Sequence, residues 1–258
     1  MSIEGSITAL VTPMNEKGDL DYNSLEKLIN FQIDSGISGL VAVGTTGESA
    51  TIDFEDHIKL IEFFIKISNG RVHIIAGTGA NSTEEALHLT REAKNLGADA
   101  ALLVSPYYNK PPQEGIYRHH AKIADEVDIP QILYNVPSRT ASFIEPETVQ
   151  RLSSHQNIMG IKDATGDMKN LSEVLKLCEE NIKSKNFFLY SGDDFSFLEF
   201  LKKGGHGTIS VTSNVVPEII SEICLLVQSD FPKAKQLDDQ IKNLNQSLFC
   251  ESNPIPVK

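Results

Sequence analysis

One lysine stands where a buried strand would end. Residues 158–162 read Ile-Met-Gly-Ile-Lys, an apolar run that ends on Lys162 and leads into a polar loop containing Gly166. Because side chains alternate along a strand, Ile158, Gly160 and Lys162 share one face, and Gly160 leaves space there. Such a lysine is either a solvated loop charge or a reactive amine, and its neighbours must decide between the two.

Hydroxyl groups predominate among the side chains that follow the other short apolar runs. Amides, one arginine and adjacent aspartates accompany them: Thr12, Thr45, Thr46, Ser49, Thr78, Asn81, Tyr107, Tyr108, Asn109, Tyr134, Asn135, Arg139, Asp193, Asp194 and Ser210. The set is poor in histidines and in separated carboxylate pairs. We therefore predict neither a glycosidase-type acid–base pair nor a metal site.

A lysine surrounded by hydroxyl groups suits imine chemistry. Burial disfavours the charged form of an amine, and only the neutral amine attacks a carbonyl group. Forming and hydrolysing an imine moves protons several times, and a chain of hydroxyl groups can carry them. Arg139 is either a fork that binds a substrate carboxylate or a loop arginine in a surface ion pair. Schiff-base catalysis by Lys162 is the favoured interpretation.

Eight strand–helix units in the sequence can bring these side chains together. The predicted strands are Ser6–Val11, Gly39–Val43, Val72–Ala76, Ala100–Val104, Gln131–Tyr134, Met159–Lys162, Phe187–Tyr190 and Gly207–Ser210. Continuously apolar strands that each precede a helix indicate a parallel sheet. Eight such units in a chain of 258 residues predict an α/β fold, the (β/α)₈ TIM barrel, whose active site lies at the carboxyl ends of the strands.

An open doubly wound sheet is the alternative fold. The segment 77–82, Gly-Thr-Gly-Ala-Asn-Ser, resembles a dinucleotide-binding loop, because it follows a predicted strand and precedes a helix. Its third glycine position is Ser82, however, and Asp99 precedes the fourth strand instead of ending it. This context is wrong for a dinucleotide site, and the barrel is preferred.

A C-terminal helical region is predicted to follow the barrel. The barrel domain spans residues 1–228, and an amphipathic helix from about Phe231 to Leu248 opens the region 229–258. The chain then ends on the proline-containing segment 253–258.

Composition restricts the partners of this chain. The formal net charge of −12 disfavours binding to nucleic acid or to an anionic membrane surface. No apolar run approaches the roughly 20 residues that span a bilayer, and the amino terminus lacks the pattern of an export signal. We predict small-molecule or protein partners and a cytoplasmic location.

Residue types that often bind metals are predicted to be structural. The widely spaced Cys178, Cys224 and Cys250 are expected to be buried free thiols. His119 and His120 are adjacent on a predicted helix, which suits surface positions or satisfied core positions.

Six motifs occur in order along the chain at successive strand ends. They are GTTGES (44–49), PYYNKPPQEG (106–115), YNVPSRT (134–140), GIKDATGD (160–167), YSGDD (190–194) and GGHGTISVTSN (204–214). Together they resemble the 4-hydroxy-tetrahydrodipicolinate synthases, or dihydrodipicolinate synthases, of the pyruvate-dependent class I aldolase family. The resemblance extends from Ile3 to Lys258.

The resemblance implies an enzyme without a metal or organic cofactor. Such a lyase condenses pyruvate with L-aspartate 4-semialdehyde to form 4-hydroxy-tetrahydrodipicolinate, the branch step of lysine and diaminopimelate biosynthesis. By the resemblance, Lys162 matches the Schiff-base lysine, and Tyr134 is a proton donor and acceptor. Thr45 and Tyr108 match the rest of the proton relay, with Tyr108 reaching across a tight dimer interface of a homotetramer.

Further site residues also follow from the resemblance. Thr46 and Ile209 match positions that hold pyruvate, and Arg139 matches the residue that holds the second substrate's carboxylate. L-Lysine inhibits many family members from a cleft at the tight dimer interface, and that cleft matches Ser49, Ala50, His57, Asn81, Glu85 and Tyr107. Phe54 departs from the pattern, because a histidine is common there in lysine-sensitive members. Relatives also continue beyond the segment 253–258, so the C-terminal helical region is expected to be truncated.

Two other functions compete with this interpretation. An N-acetylneuraminate lyase or a keto-deoxy sugar acid aldolase would keep the fold and the imine but use another aldehyde. A catalytically silent homologue would act as a binding or assembly protein. The second threonine of GTTGES, the tandem tyrosines and Arg139 oppose the first alternative, and the presence of Lys162 and Tyr134 opposes the second.

Overall fold

The computed structural model, which describes residues 2–258, is built around a closed barrel of eight parallel strands in sequence order. The strands are β1 (Gly5–Ala9), β2 (Gly39–Ala42), β3 (His73–Gly77), β4 (Ala100–Val104), β5 (Gln131–Asn135), β6 (Ile158–Asp163), β7 (Phe188–Ser191) and β8 (Gly207–Ser210). Pairing of β1 with β8 closes the barrel, with Ile7 opposite Ile209. The predicted TIM-barrel fold is confirmed.

Helices connect the strands and follow the last of them. They are α1 (Tyr22–Asp34), α2 (Phe54–Ser68), α3 (Thr83–Leu96), α4 (Gln113–Glu126), α5 (Pro137–Thr140), α6 (Pro146–Ser153), α7 (Met168–Leu177), α8 (Glu179–Lys183), α9 (Phe197–Lys202), α10 (Pro217–Leu226) and α11 (Phe231–Leu248). A 3₁₀ helix spans Thr212–Asn214. None of the helices within residues 2–258 is long and apolar enough to cross a membrane.

Strand residues are buried on both faces, which explains why the strand segments are continuously apolar. On β2, Val41 packs inside the barrel with Ile7 and Ile75. Its neighbours Leu40 and Ala42 pack outward in a second cluster with the helices α1 to α3. Eight strands leave an interior just wide enough to be filled by side chains, so the barrel centre is a packed core beneath the site.

The space beside Gly160 is filled by an aromatic ring. A Cβ atom on Gly160 would lie 2.5 Å from the Phe188 carbonyl oxygen and 3.1 Å from Cε2 of Tyr190. Tyr190 is fully buried and donates a hydrogen bond from its hydroxyl group to the Ile3 carbonyl oxygen at 2.8 Å. Burial raises the pKa of Tyr190, so its phenol stays a neutral donor. Gly160 therefore accommodates the barrel core below Lys162.

Helix α11 is joined to the barrel by apolar packing and by one buried amide. Its residues Ala234 and Ile241 pack against apolar side chains of α9 and α10. Asn245 donates from Nδ2 to the Asp194 carbonyl oxygen at 2.9 Å and accepts from the Thr212 hydroxyl group at 2.7 Å. This helix thus contacts the loops that follow β7 and β8.

The cysteine and histidine predictions are only partly correct. All three cysteines are free, but only Cys178 is buried; Cys224 is partly buried, and Cys250 is exposed. His119 and His120 are both buried in α4, and neither ring nitrogen of His120 has a hydrogen-bond partner within residues 2–258. His120 is therefore neither on the surface nor a satisfied core residue.

Candidate active site

Lys162 lies at the carboxyl end of β6, between two tyrosines on the neighbouring strands. Its register partners are Tyr134 on β5 and Tyr190 on β7. The side chain is only 6% exposed, and Nζ lies 4.3 Å from the centroid of the Tyr134 ring. An aromatic face so close to the amine is an apolar, electron-rich surface. The structure thus places Lys162 and Tyr134 side by side at the carboxyl ends of β6 and β5.

The aspartate that follows Lys162 is turned away from the amine. Asp163 accepts hydrogen bonds from the Thr165 backbone amide at 2.9 Å and from Nδ2 of Asn170 at 2.6 Å. Alternation along the strand sends this carboxylate toward α7 and the lysine into the barrel. Burial raises the pKa of Asp163, and its hydrogen bonds oppose that shift.

A glycine after β7 makes room for the lysine stem. A Cβ atom on Gly192 would lie 2.8 Å from Cε of Lys162, 3.1 Å from its Cγ and 2.9 Å from the Ala164 Cβ. Real Cβ atoms essentially never approach other atoms to less than 3.0 Å, as two of these three distances would require. The missing side chain at position 192 thus permits the observed rotamer of Lys162, a role that the sequence did not predict.

The loop after β2 carries Thr45 and Thr46 on a strained backbone. Val43 has a φ of 53°, which is rare for a β-branched residue. Gly77 allows this approach, because a Cβ atom there would lie 2.4 Å from the Val43 carbonyl oxygen. Thr45 and Tyr134 both line a small cavity of about 20 Å³. The loop thus brings one predicted relay hydroxyl to the cavity that Tyr134 lines.

Thr46 and Arg139 are joined through the C-terminal segment. The Thr46 hydroxyl oxygen accepts a hydrogen bond from Nδ2 of Asn253 at 3.0 Å. The Asn253 carbonyl oxygen accepts from Nη2 of Arg139 at 2.7 Å. Arg139 thus lies at the mouth of the barrel near Thr46, and its guanidinium group forms no ion pair with residues 2–258.

A cavity of about 420 Å³ opens at this mouth. Its wall combines predicted substrate residues with most of the predicted inhibitor cleft: Thr45, Arg139, Ser49, Ala50, His57, Glu85 and Tyr107, together with Phe54, Val136, Thr140, Asn253 and Pro254. Asn81 is not in this wall. The structure therefore places substrate candidates and inhibitor candidates along one continuous space.

The inhibitor-cleft candidates are mostly neutral groups. Nε2 of His57 lies 2.7 Å from the Gly77 carbonyl oxygen, and burial lowers the pKa of His57. Burial also raises the pKa of Tyr107, with Glu85 acting in the same direction. Phe54 packs edge-on against His88, with ring centroids 4.7 Å apart. The backbone amide of Glu85 donates a hydrogen bond to the Ser82 hydroxyl oxygen, which caps the start of α3.

Tyr108 is separated from the other relay candidates within one chain. Its side chain is 89% exposed, and its φ of 73° is left-handed. Its backbone amide donates a long hydrogen bond of 3.4 Å to the Thr140 carbonyl oxygen. Such a backbone conformation is costly for a bulky residue.

The backbone after Ile209 is held by a buried carboxylate. Ile209 lies within β8 and packs inside the barrel. Oδ2 of Asp194 accepts from the amides of Val211 and Thr212 at 2.8 and 2.9 Å. Burial raises the pKa of Asp194, and these amides oppose that shift. The YSGDD motif pointed to this loop, but it carried no signal for the carboxylate's partners.

Comparisons with known proteins agree along the whole chain. The model of the dihydrodipicolinate synthetase family matches residues 2–258. The 4-hydroxy-tetrahydrodipicolinate synthase of Alcanivorax borkumensis is 52% identical over 257 residues, which cover 99% of this chain and 86% of that protein.

Solved structures give the same result. The chloride-inhibited dihydrodipicolinate synthase of Acinetobacter baumannii, complexed with pyruvate, superimposes with a TM-score of 0.94 at 50% identity, covering 99% of this chain and 87% of that one. The enzyme of Cyanidioschyzon merolae with lysine bound superimposes with a TM-score of 0.93 at 36% identity, covering 98% and 86%.

Proposed function

This chain belongs to the dihydrodipicolinate synthetase family, and from that premise we propose how it acts as a 4-hydroxy-tetrahydrodipicolinate synthase. The enzyme condenses pyruvate with L-aspartate 4-semialdehyde through a lysine Schiff base. One observation carries the assignment of the nucleophile: the buried amine of Lys162 at the end of β6, 4.3 Å from the centroid of the Tyr134 ring.

The covalent sequence begins with the neutral amine of Lys162. It attacks the ketone carbon of pyruvate, and the resulting carbinolamine loses water to form an imine. Loss of a methyl proton gives an enamine, whose carbon attacks the aldehyde of the second substrate. The substrate's own amine then attacks the former ketone carbon, closes the ring and releases Lys162. Proton transfer in these steps falls to Tyr134 and Thr45, with Tyr108 from a second copy.

The carboxylates of the two substrates need separate donors. We assign pyruvate to Thr46 and to the backbone near Ile209, and the second substrate to Arg139. Thr45 and Arg139 both line the cavity of about 420 Å³, which is large enough for a small ligand. The guanidinium group offers five donors, so one bond to Asn253 leaves others for a carboxylate.

Trapping with borohydride tests the nucleophile. Incubation with pyruvate followed by reduction is expected to add one reduced pyruvate to Lys162, located by peptide mapping. An unmodified Lys162 would reject the proposal. A turnover assay that compares aspartate semialdehyde with sugar aldehydes then tests the second substrate.

The assembly and inhibition of this chain are further parts of the proposal. A tight dimer, paired into a tetramer, would place the exposed Tyr108 ring in a neighbouring site. L-Lysine is proposed to bind the part of the cavity lined by His57, Glu85 and Tyr107, since the Cyanidioschyzon merolae relative is described with lysine bound. An unchanged rate in millimolar lysine would reject inhibition. Residues 229–258 are assigned to the C-terminal helical region, and the cytoplasm remains our predicted location.

A further inference from the structure

The C-terminal segment crosses the mouth of the site and touches both loops that carry substrate donors. Asn253 is 8% exposed, although it follows the last helix of the chain. Its side-chain amide contacts Thr46, and its backbone carbonyl contacts Arg139. Five residues later, Lys258 forms an ion pair with Glu48 in the same loop as Thr46. The segment is therefore attached to this loop at two points.

The hydrogen bond from Asn253 determines what the Thr46 hydroxyl group can do. A hydroxyl group has one donor and two acceptor positions. Because the Thr46 oxygen accepts from the amide at 3.0 Å, its own proton is turned toward another acceptor. A substrate carboxylate is such an acceptor. Asn253 thus orients the hydroxyl group as a donor.

The same residue restrains the guanidinium group of Arg139 through a different atom. The Asn253 carbonyl oxygen accepts a hydrogen bond from Nη2 at 2.7 Å. This bond limits the rotation of a long side chain while its other N–H groups remain available. One residue therefore orients donors for two substrates.

Packing alone does not account for an asparagine at this position. Its Oδ1 atom is buried and has no hydrogen-bond partner among the described residues. An apolar side chain would fill the space without burying an unpaired polar atom. The amide is therefore explained by the bond that it donates to Thr46.

We propose that Asn253 is a positioning residue for both substrate carboxylates, acting on Thr46 through its side chain and on Arg139 through its backbone carbonyl. The inference rests on the proposed function, because it takes the donors of Thr46 and Arg139 as the carboxylate sites. The contacts with Thr46 and Arg139 can be tested separately, since a substitution of the Asn253 side chain removes only the contact with Thr46.

Asn253→Ala tests the side-chain contact. The pyruvate concentration that gives half-maximal borohydride trapping on Lys162 is expected to rise about tenfold, because a hydrogen bond to a charged substrate loses its oriented donor. The KM for aspartate semialdehyde is expected to stay within about twofold, because the backbone carbonyl remains to hold Arg139. Ser252→Ala, an exposed neighbour in the same segment, is the matched control and should change neither value.

Asn253→Asp preserves the shape and provides a second test if the alanine variant does not fold. Its carboxylate accepts the only proton of the Thr46 hydroxyl group and adds negative charge beside pyruvate. The half-saturating pyruvate concentration should rise above that of Asn253→Ala. A half-saturating pyruvate concentration for Asn253→Asp equal to that of the wild type would overturn the proposal.

A double variant shows whether Asn253 acts through Thr46. On a Thr46→Val background, Asn253→Ala should cause little further loss of pyruvate binding, because the hydroxyl group is already gone. If the two substitutions weaken pyruvate binding by independent factors that multiply, Asn253 does not act through Thr46 and the proposal is overturned. If Asn253→Ala raises both KM values equally and lowers the Tm, the role of Asn253 is structural and the proposal is overturned as well. If wild-type Lys162 is not trapped at all, the proposed function fails instead.

Discussion

The position of Lys162 depends on the absence of a side chain at residue 192. The lysine stem passes Gly192 at a distance that no Cβ atom tolerates, with 2.8 Å from the missing Cβ position to Cε. Both residues lie at the carboxyl ends of neighbouring strands, β6 and β7, so the contact is a product of barrel closure. The glycine at position 192 therefore leaves room for the observed rotamer of Lys162.

Gly192→Ala is expected to reduce imine formation without unfolding the barrel. The new methyl group would force Lys162 into another rotamer, and displacement of a reacting group by about 1 Å can cost roughly 100-fold in rate. We expect a loss of about 10- to 100-fold in the rate of pyruvate trapping. Stopped-flow trapping, with Tm measured in parallel, checks this prediction. A wild-type trapping rate would show that the lysine accommodates the methyl group.

Among the elements, α11 contacts the catalytic face through a buried amide, in addition to its apolar packing against α9 and α10. Asn245 joins the loop after β7 to the loop after β8 through Asp194 and Thr212. Gly192 lies in the first of these loops, and the second loop follows Ile209 of β8. Helix α11 therefore supports the catalytic face from outside the barrel.

Asn245→Ala should destabilise the protein through this connection. The Thr212 hydroxyl group and the Asp194 carbonyl oxygen would lose their partner in a buried place, at a cost of about 1–3 kcal/mol in the free energy of unfolding. Asn243→Ala, exposed on the same helix, should change stability by less than about 0.5 kcal/mol. Urea unfolding measures both variants. Equal stability of the two would contradict the assigned role of Asn245.

Helix α4 contributes a pH dependence through its two buried histidines. Nδ1 of His119 lies 2.9 Å from the Thr83 hydroxyl oxygen, while the other three ring nitrogens of the pair have no partner in the part of the chain that the structure describes. Burial lowers the pKa of His119 to about 4 and that of His120 well below its usual value, with His119 adding to the latter shift. The folded protein therefore keeps both rings neutral.

The sign of the pH effect follows from these lowered values. The unfolded chain binds protons as the pH falls below about 6.5, whereas the folded chain does not, so stability falls with the pH from about 6.5 to 4. His120→Phe should reduce that slope by up to about 1.4 kcal/mol per pH unit. Urea unfolding at several pH values checks it, with His88→Gln, an exposed histidine, as the control. Equal slopes of the free energy of unfolding against pH for His120→Phe and the wild type would contradict the prediction.

At the scale of the whole molecule, one chain holds Lys162, Tyr134 and Thr45 but projects Tyr108 into solvent. A ring that is 89% exposed on a left-handed backbone fits insertion into a second copy. Two-fold symmetry would then give each site the tyrosine of its neighbour. The proposed relay is complete only in a dimer.

Mixing two defective variants tests this exchange of tyrosines. Lys162→Ala and Tyr108→Ala should each be nearly inactive alone. After random reassembly of equal amounts, about one quarter of the sites combine an intact Lys162 with an intact Tyr108 from the partner. Activity should therefore recover to about one quarter of wild type. Native mass spectrometry confirms hybrid formation, and inactive hybrids would show that Tyr108 does not act across the interface.

Local patterns in the sequence determined the barrel and the place of its lysine. Short, continuously apolar strands and 3.6-period helices depend on residues within a few positions of one another, so all eight strands and α11 could be predicted. The same patterns placed Lys162, Tyr134 and Thr45 at strand ends, because parallel strands of a barrel share one catalytic face. The resemblance to a family assigned their chemistry.

Only the tertiary structure decided which distant residues support that chemistry. Asn253 meets Thr46 across 207 positions of sequence, Asn245 meets Asp194 across 51, and Gly192 meets Lys162 only where β6 and β7 lie side by side. Burial is equally non-local, which is why Cys250 proved exposed and His120 buried without a partner. A hydrogen bond or a close contact between separate segments produces no repeating pattern in the sequence of either segment. It exists only after barrel closure has brought both segments to the same place.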